Sequence, residues 1–442
     1  MPLNILIVGA GVCGPAFALL LQRSNPKHNI TVIERYPLLR TGGQQIDLKA
    51  QGIPIMRKLG LLEEIRKHCV KENGMEFVDR KGKSLMQFGV TSADAGRGAF
   101  ELTNEFEFMR GDFVKMMYDT SLGERKALEA KGIKEGSLAY EFGTSITAID
   151  QSSSSSTVSV TFSAGETKTF DLVVAADGQS SRTRKLTFGE EVHKESFKTL
   201  NIHAAYFNVP RLPTEDSLAR IYFAPRNRMI MTRTGDRPLT QVYFFLLKDL
   251  QRSEKMRAVH KLPLAEQKEA WSEIYDDAAW DSKRFIEGMQ NGEDVYATEI
   301  GQVKMQNHQV HTGRVVLLGD AGYCPSAFTG MGTTLSLIGT YVLAGELARH
   351  PTDVAAALKA YEEKMMQPIE ECQKLSGIAG GQGFYPASEW GIWATNHVLW
   401  TLSAFRVDRL LKWVAGFMPE GMEKRWEVPE YAELNCEAVG GE

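Results

Sequence analysis

The sequence predicts an α/β protein in which a Rossmann-like domain is assembled from separated stretches of chain, joined by a second, β-sheet-rich domain and closed by a C-terminal helical segment. Three observations carry this. Residues 4 to 34 read as strand, glycine turn, helix and strand. Residues 196 to 248 change to alternating β-type segments, and a buried strand from Arg314 to Leu318 then returns to the α/β style. The boundaries that follow are 1–75, 100–190 and 290–350 for the first domain, 76–99 and 191–289 for the second, and 351–442 for the helical region.

Taken in order, Asn4-Ile-Leu-Ile-Val8 is a buried strand, the apolar run to about Gln22 is a helix, and Asn29-Ile-Thr-Val-Ile33 is a second strand. Phe77 to Phe88 reads as a hairpin turning at Lys81-Gly82, Arg110 to Tyr118 as a helix, and the serine run at 152–156 as a surface turn. The strand Phe170 to Ala175 ends at Asp177-Gly178. Asn201 to Phe207, Ala219 to Phe223 and Gln241 to Phe245 alternate as strands of an antiparallel sheet. Helical patterns cover Thr352 to Ser376 and Asn396 to Phe417.

A chain of 442 residues, 43% hydrophobic and 24% charged, builds ample core for two or three domains. A formal net charge of −4, with both signs spread along the chain, offers no basic footprint for nucleic acid. The five cysteines (Cys13, Cys69, Cys324, Cys372, Cys436) are scattered, so reduced thiols in a cytoplasmic protein are expected and no metal site. The apolar start lacks a basic n-region and is split by glycines, so it reads as folded structure and not as a signal peptide. No uninterrupted apolar run of about 18 residues predicts a spanning helix. The tryptophan-rich stretch from Trp390 to Phe417 is expected to pack on the core, with membrane-surface association as the alternative.

The chemistry starts at Gly9-Ala-Gly11-Val-Cys-Gly14, a GxGxxG pattern directly after a strand and opening a helix. Gly9 permits the tight turn, Gly11 lets the backbone approach a diphosphate, and Gly14 lets helix and strand pack closely. The helix N-terminus then attracts the diphosphate, and Glu34, with Arg35 beside it, ends the second strand where a ribose hydroxyl is met. These residues specify an ADP moiety without choosing between NAD and FAD.

Three later segments choose. They are Phe108-Met-Arg110-Gly-Asp-Phe113, Asp171-Leu-Val-Val-Ala-Ala-Asp177-Gly178, and Arg314-Val-Val-Leu-Leu-Gly319-Asp320-Ala-Gly-Tyr-Cys-Pro325-Ser-Ala-Phe-Thr-Gly330-Met-Gly332. In this order, and over most of the first 350 residues, the chain resembles the single-component aromatic hydroxylases, FAD-dependent monooxygenases related to p-hydroxybenzoate hydroxylase. The resemblance implies that Arg110 contacts FAD, that Asp177 and Gly178 serve FAD and the pyridine nucleotide, that Asp320 with Gly319 binds the ribityl chain, and that Pro325, Gly330 and Gly332 line the isoalloxazine. The chain departs from that family's pattern at Gly322-Tyr323, where a histidine usually follows the alanine, and at Thr333-Thr334, where an asparagine is usual. A narrower likeness to the tetracycline-inactivating and polyketide-modifying branch rests on Arg40-Thr-Gly-Gly43-Gln-Gln-Ile-Asp-Leu48-Lys-Ala-Gln-Gly52 with Met109-Arg110-Gly-Asp112. It implies that Gly43 and its neighbours shield the flavin and that the substrate is polycyclic or phenolic.

By the same resemblance NADPH or NADH reduces FAD, and dioxygen then yields a flavin hydroperoxide that hydroxylates or epoxidises an electron-rich small molecule. No second nucleotide-binding GxGxxG is expected, since Gly377 to Gly383 follows no strand. Polar and aromatic residues of the β-rich segments, His203, Tyr206, Tyr222, Arg233 and Tyr243, are the substrate-binding candidates, with His203 the candidate base. Alternation sends about half of such residues to the wrong face. The alternatives are an FAD-dependent dehydrogenase or reductase, a halogenase, which Trp390-Gly-Ile-Trp393 superficially suggests, and an inactive binding protein. The chain is expected to act as a monomer or homodimer.

Overall fold

A computed structural model of the chain describes residues 1–88, 106–151, 156–375, 386–404 and 426–434. The first domain is a six-stranded sheet ordered His311–Thr312, Val315–Leu317, Leu172–Ala175, Asn4–Val8, Asn29–Glu34, Ser137–Phe142. All neighbours are parallel except the terminal pair of His311–Thr312 with Val315–Leu317. The strands are near-continuous apolar runs because both faces are covered. On one side Ile5, Ile7, Leu172 and Val174 pack with the helices Cys13–Ser24, Gly332–Arg349 and Val354–Cys372. On the other Leu6, Val8 and Val173 meet Val158, Val160 and Phe170 of a three-stranded sheet.

The second domain is a seven-stranded sheet ordered Tyr296–Val303, Phe197–Pro210, Leu239–Leu247, Arg228–Arg233, Leu218–Ala224, Gly74–Val78, Ser84–Phe88. Its last two strands form the expected hairpin, with Gly82 at φ +80° and Asp79 accepting from the Lys81 and Lys83 N–H groups. One face lies under the helices Leu250–Val259, Leu264–Tyr275 and Ser282–Asn291, whose Trp271, Tyr275 and Phe285 pack on Phe207, Phe244 and Leu246. The opposite face carries Tyr206, Met229, Tyr243 and Phe245 towards Phe328.

Two expectations change. The segment 296–303, placed in the first domain by the sequence, is the edge strand of the second sheet, pairing with Phe197–Pro210 from Tyr296↔Tyr206 to Val303↔Phe197. Its alternating residues suit a ladder, and the first sheet is rejoined only at His311. The helix Glu389–Ala404 starts earlier than predicted and rests on Ser84–Phe88 through a narrow stripe that includes buried Gly391. Trp390, Trp393 and Trp400 therefore stay exposed, at 75%, 56% and 58%, instead of entering the core. The rest of the tryptophan-rich segment, most of the serine run, residues 89–99 of the second domain and Gly377 to Gly383 lie outside the described residues. No helix among the described residues is long and apolar enough to cross a membrane.

Candidate active site

The dinucleotide end is fixed by backbone contact distances. Gly9 takes φ +110°, donates its N–H to Ile33 O at 2.8 Å, and a Cβ there would stand 2.5 Å from Ala176 O. A Cβ on Gly14 would stand 2.0 Å from Gly9 O, whereas one on Gly11 would meet only the Arg110 guanidinium at 3.5 Å. Gly9 and Gly14 thus serve chain packing, and Gly11 keeps an open approach. The helix Cys13–Ser24 has neither a side-chain cap nor an acidic residue in its first turn, so its leading N–H groups remain available for an anion. Glu34 is held at this mouth, accepting from Ala10 N–H at 3.0 Å and Tyr36 N–H at 3.1 Å. Arg35 turns outward, stacked over the Tyr36 ring at 4.9 Å.

Arg110 joins the two ends of the site. It opens the helix Arg110–Ala130, which begins close against the chain because Gly111 leaves room for Thr41 O. Its guanidinium lies between Gly11 and Gly43 and donates to Gly42 O at 3.4 Å. Burial pulls its pKa down, Arg40 adds to that, and Tyr296, Asp320 and Glu34 oppose it. An arginine stays cationic under such a pull, so a half-buried donor fork sits in the field of both Glu34 and Asp320. Gly43, at φ +118°, donates its N–H to Asp294 at 3.3 Å, which ties the 40–52 segment to the second domain.

The returning loop is shaped for backbone exposure. Gly319 turns at φ +64° against Cys13 Sγ and Ser336, and burial raises the Asp320 pKa while Cys324 and Arg110 lower it. Pro325 is buried, with its carbonyl accepting from Gln302 at 2.9 Å. Gly330, at φ +63°, abuts Lys49 and Asp47, and a Cβ on Gly332 would meet nothing within 4 Å. The helix Gly332–Arg349 again starts without a side-chain cap or an acidic first turn. Thr334, where the resemblance leads one to expect asparagine nearby, clamps Lys49 by accepting from its N–H at 3.0 Å and donating to its carbonyl at 2.9 Å.

Asp177 is engaged by its own turn. One oxygen accepts from the Ser181 hydroxyl at 2.5 Å, and the other from Thr183 N–H and hydroxyl at 3.0 and 2.8 Å, so the carboxylate holds its own turn. Gly178 at φ +82° keeps the turn open on its far side.

The substrate candidates divide between the two faces of the second sheet. Tyr206 and Tyr243, in edge contact at 5.0 Å, look towards Phe328, and Arg233 reaches the same seam. His203 and Tyr222 point the other way, under the helices. His203 bonds to His260 at 2.9 Å and Tyr222 packs on Trp280 at 6.0 Å. His203 is one residue out of phase with the Tyr206 face, which removes it as the candidate base.

The sequence reading missed a polar seam between the domains. Arg233 pairs with Glu72 at 2.7 and 3.0 Å and with Glu107 at 2.7 Å. Gln45 donates to Glu107 at 3.0 Å and exchanges bonds with Gln241, which also accepts from Tyr243. Glu107 immediately precedes the Phe108-Met-Arg110 motif, and Asp47 lies inside the 40–52 stretch, which was the only signal available. Among the described residues no group of three or more histidine, cysteine or carboxylate side chains is placed to hold a metal.

The residues present fit FAD: an uncapped helix start and open glycine at one end, an open glycine loop at the other, and a half-buried arginine beside the first. Comparison with known proteins agrees. A family model described as an FAD binding domain matches residues 3–373. The chain is 38% identical to the FAD-dependent monooxygenase asL6 of Sarocladium schorii, over 99% of this chain and 100% of that one. It is 31% identical to the monooxygenase CTB7 of Cercospora beticola, over 97% of each. Among solved structures, the tetracycline destructase Tet(51) shares the fold with a TM-score of 0.70 and 24% identity, over 98% of this chain and 100% of that one.

Proposed function

The chain belongs to the FAD-binding-domain family of flavin monooxygenases, and on that premise we propose that it uses NADPH or NADH and dioxygen to hydroxylate or epoxidise a phenolic or polycyclic, polyketide-like molecule. Bound FAD supplies the activation of dioxygen and the delivery of one oxygen atom. The protein's own residues bind, orient and exclude water. The Cys13–Ser24 helix start and Gly11 receive the diphosphate, Glu34 the adenosine ribose, and Arg110 the charge between the two ends. The free N–H groups at the start of Gly332–Arg349 favour negative charge on a reduced ring. Tyr206, Tyr243 and Arg233 offer two phenols and a cation to an oxygen-rich substrate, while Met229, Phe245 and Phe328 supply the apolar part of the same sheet face.

The observation that carries this reading is the meeting of the two glycine loops, Gly319 against Cys13 of the first loop and Arg110 beside Gly11 and Gly43, with the aromatic sheet face beyond Phe328. The experiment is to purify the protein with its flavin and screen phenolic polyketides for stimulated NAD(P)H oxidation under isotopically labelled dioxygen. One labelled oxygen in the product supports the reading. A flavin-loaded protein that oxidises NAD(P)H or substrate and never incorporates label overturns it in favour of a dehydrogenase.

A further inference from the structure

The seam holds two carboxyl groups opposite one another. Gln45–Asp47 and Glu107–Met109 form a two-stranded antiparallel ladder in which Asp47 is the direct partner of Glu107, a register that normally disfavours like charges. As direct partners their side chains leave the same face of the ladder side by side, with Cβ atoms about 4.5–5.5 Å apart. Asp47 Oδ1 is buried and, among the described residues, receives no N–H or O–H donor. Two ionised carboxylates offer only lone pairs, so an orphaned acceptor on a carboxyl beside a second carboxyl is satisfied when one proton lies between them.

The surrounding charges point the same way. The groups facing the pair are Lys49, which bonds Asp47 at 2.9 Å, Arg233, which bonds Glu107 at 2.7 Å, Glu72, which engages Arg233 through both oxygens, and the Tyr243 phenol. Three carboxylates (Asp47, Glu72, Glu107) against two cations (Lys49, Arg233) leave one excess negative charge. Glu72 is committed to Arg233, so a neutralising proton belongs to Asp47 and Glu107. Burial, with Asp47 beside it, pushes the Glu107 carboxyl up to about 8 against the pull of Arg233.

The pair also has an inside and an outside. The Glu107 side chain is 3% exposed and that of Asp47 18%, and Asp47 Oδ2 lies 3.2 Å from where a Cβ of Gly330 would be, on the returning glycine loop. We propose that Asp47 and Glu107 share one proton and act as the proton store of the monooxygenase site, discharging through Asp47 as dioxygen is reduced there. This rests on the function proposed above. Insertion of one atom of dioxygen with two electrons from NAD(P)H consumes a proton and releases water, and the carboxyl O–H bond broken here supplies that proton. The anionic pair then recovers it from the acidic hydroxyl of the next phenolic or enolic substrate, which leaves that substrate ionised for oxygen transfer.

The test uses the flavin-loaded protein and needs no organic substrate. Infrared spectra across pH should show a protonated carboxylic acid at neutral pH that titrates on the alkaline side, is absent in E107Q, and titrates at lower pH in D47N, where the partner charge is gone. In parallel, reoxidation of the reduced enzyme by dioxygen should slow above the same midpoint, with the break lost in E107Q and shifted down in D47N. A wild-type spectrum without a protonated carboxyl, a band that survives E107Q, or a reoxidation break that D47N does not move each overturns the proposal. If E107Q fails to fold, the D47N shift alone decides it. Failure of the monooxygenase reading appears separately, as unlabelled product.

Discussion

Arg184 donates to the carbonyl oxygen of Ala321 at 2.6 Å and to that of Gln179 at 2.7 Å, so one buried guanidinium bridges the turn after Asp177-Gly178 and the loop after Gly319-Asp320. Burial lowers its pKa, Asp177 opposes that, and among the described residues no carboxylate forms an ion pair with it. It acts as a pin between two loops. R184M removes two charge-assisted bonds and leaves the Ala321 and Gln179 carbonyls without this donor, a loss of about 3 kcal/mol. Denaturant unfolding should show that loss, and the purified variant should retain less flavin than the wild type. Unchanged stability with full flavin content would remove Arg184 from this role.

The glycines of the first loop separate into two kinds, and alanine substitution should tell them apart. G14A drives a Cβ to 2.0 Å from Gly9 O and should destabilise the fold by about 2–4 kcal/mol, with flavin loss as a consequence. G11A finds only a flexible arginine end at 3.5 Å and should fold with near wild-type stability while losing flavin, since the methyl occupies the approach to the diphosphate. Thermal melts of the flavin-free proteins beside flavin titrations separate the two outcomes. Equal destabilisation by both changes would contradict the division.

Much of this was legible in the residues. The Gly9 to Gly14 loop with Glu34, and the loop from Gly319 to Gly332, are short-range patterns in which backbone demands write themselves as glycine, and a single sequence displays them. The faces of the second sheet were not legible. Alternation says that His203 and Tyr206 oppose each other but not which one looks inward, because both faces are apolar: one lies under Trp271 and Tyr275, the other against Phe328. The seam of Asp47, Glu72, Glu107 and Arg233 was invisible for a different reason. Its members come from segments far apart in the chain, and apart from Arg233, a substrate candidate by its strand, each alone reads as an ordinary charged residue.

Sheet facing gives a paired prediction. Y243F removes a phenol that bonds Gln241 beside Arg233, so it should raise the KM for a phenolic substrate several-fold at little cost in stability. Y222F, on the helical face against Trp280, should leave KM and kcat unchanged. Steady-state kinetics on both variants is the check, and an effect of Y222F on KM as large as that of Y243F would place the substrate elsewhere.

The His203–His260 pair should make the protein acid-sensitive. The rings share one bond at 2.9 Å, His203 Nε2 and His260 Nδ1 are buried without partners among the described residues, and one ring must stay neutral to accept the other's proton. Burial lowers both to about 4 from an ordinary 6.5; Arg257 adds to this for His203 and His203 for His260, while Glu299 opposes it for both. With folded values below unfolded ones, the unfolded chain binds more protons between pH 4 and 6.5. The stability contributed by the neutral pair is therefore complete above 6.5 and is lost as pH falls towards 4. The loss should be about 2 kcal/mol for the coupled pair, seen as a falling denaturation midpoint between pH 7 and pH 5. In a variant with both histidines replaced by glutamine that part of the slope should disappear, while the turnover measured at pH 7 should not depend on His203 as a base. A double variant as acid-sensitive as the wild type would assign the slope to other groups.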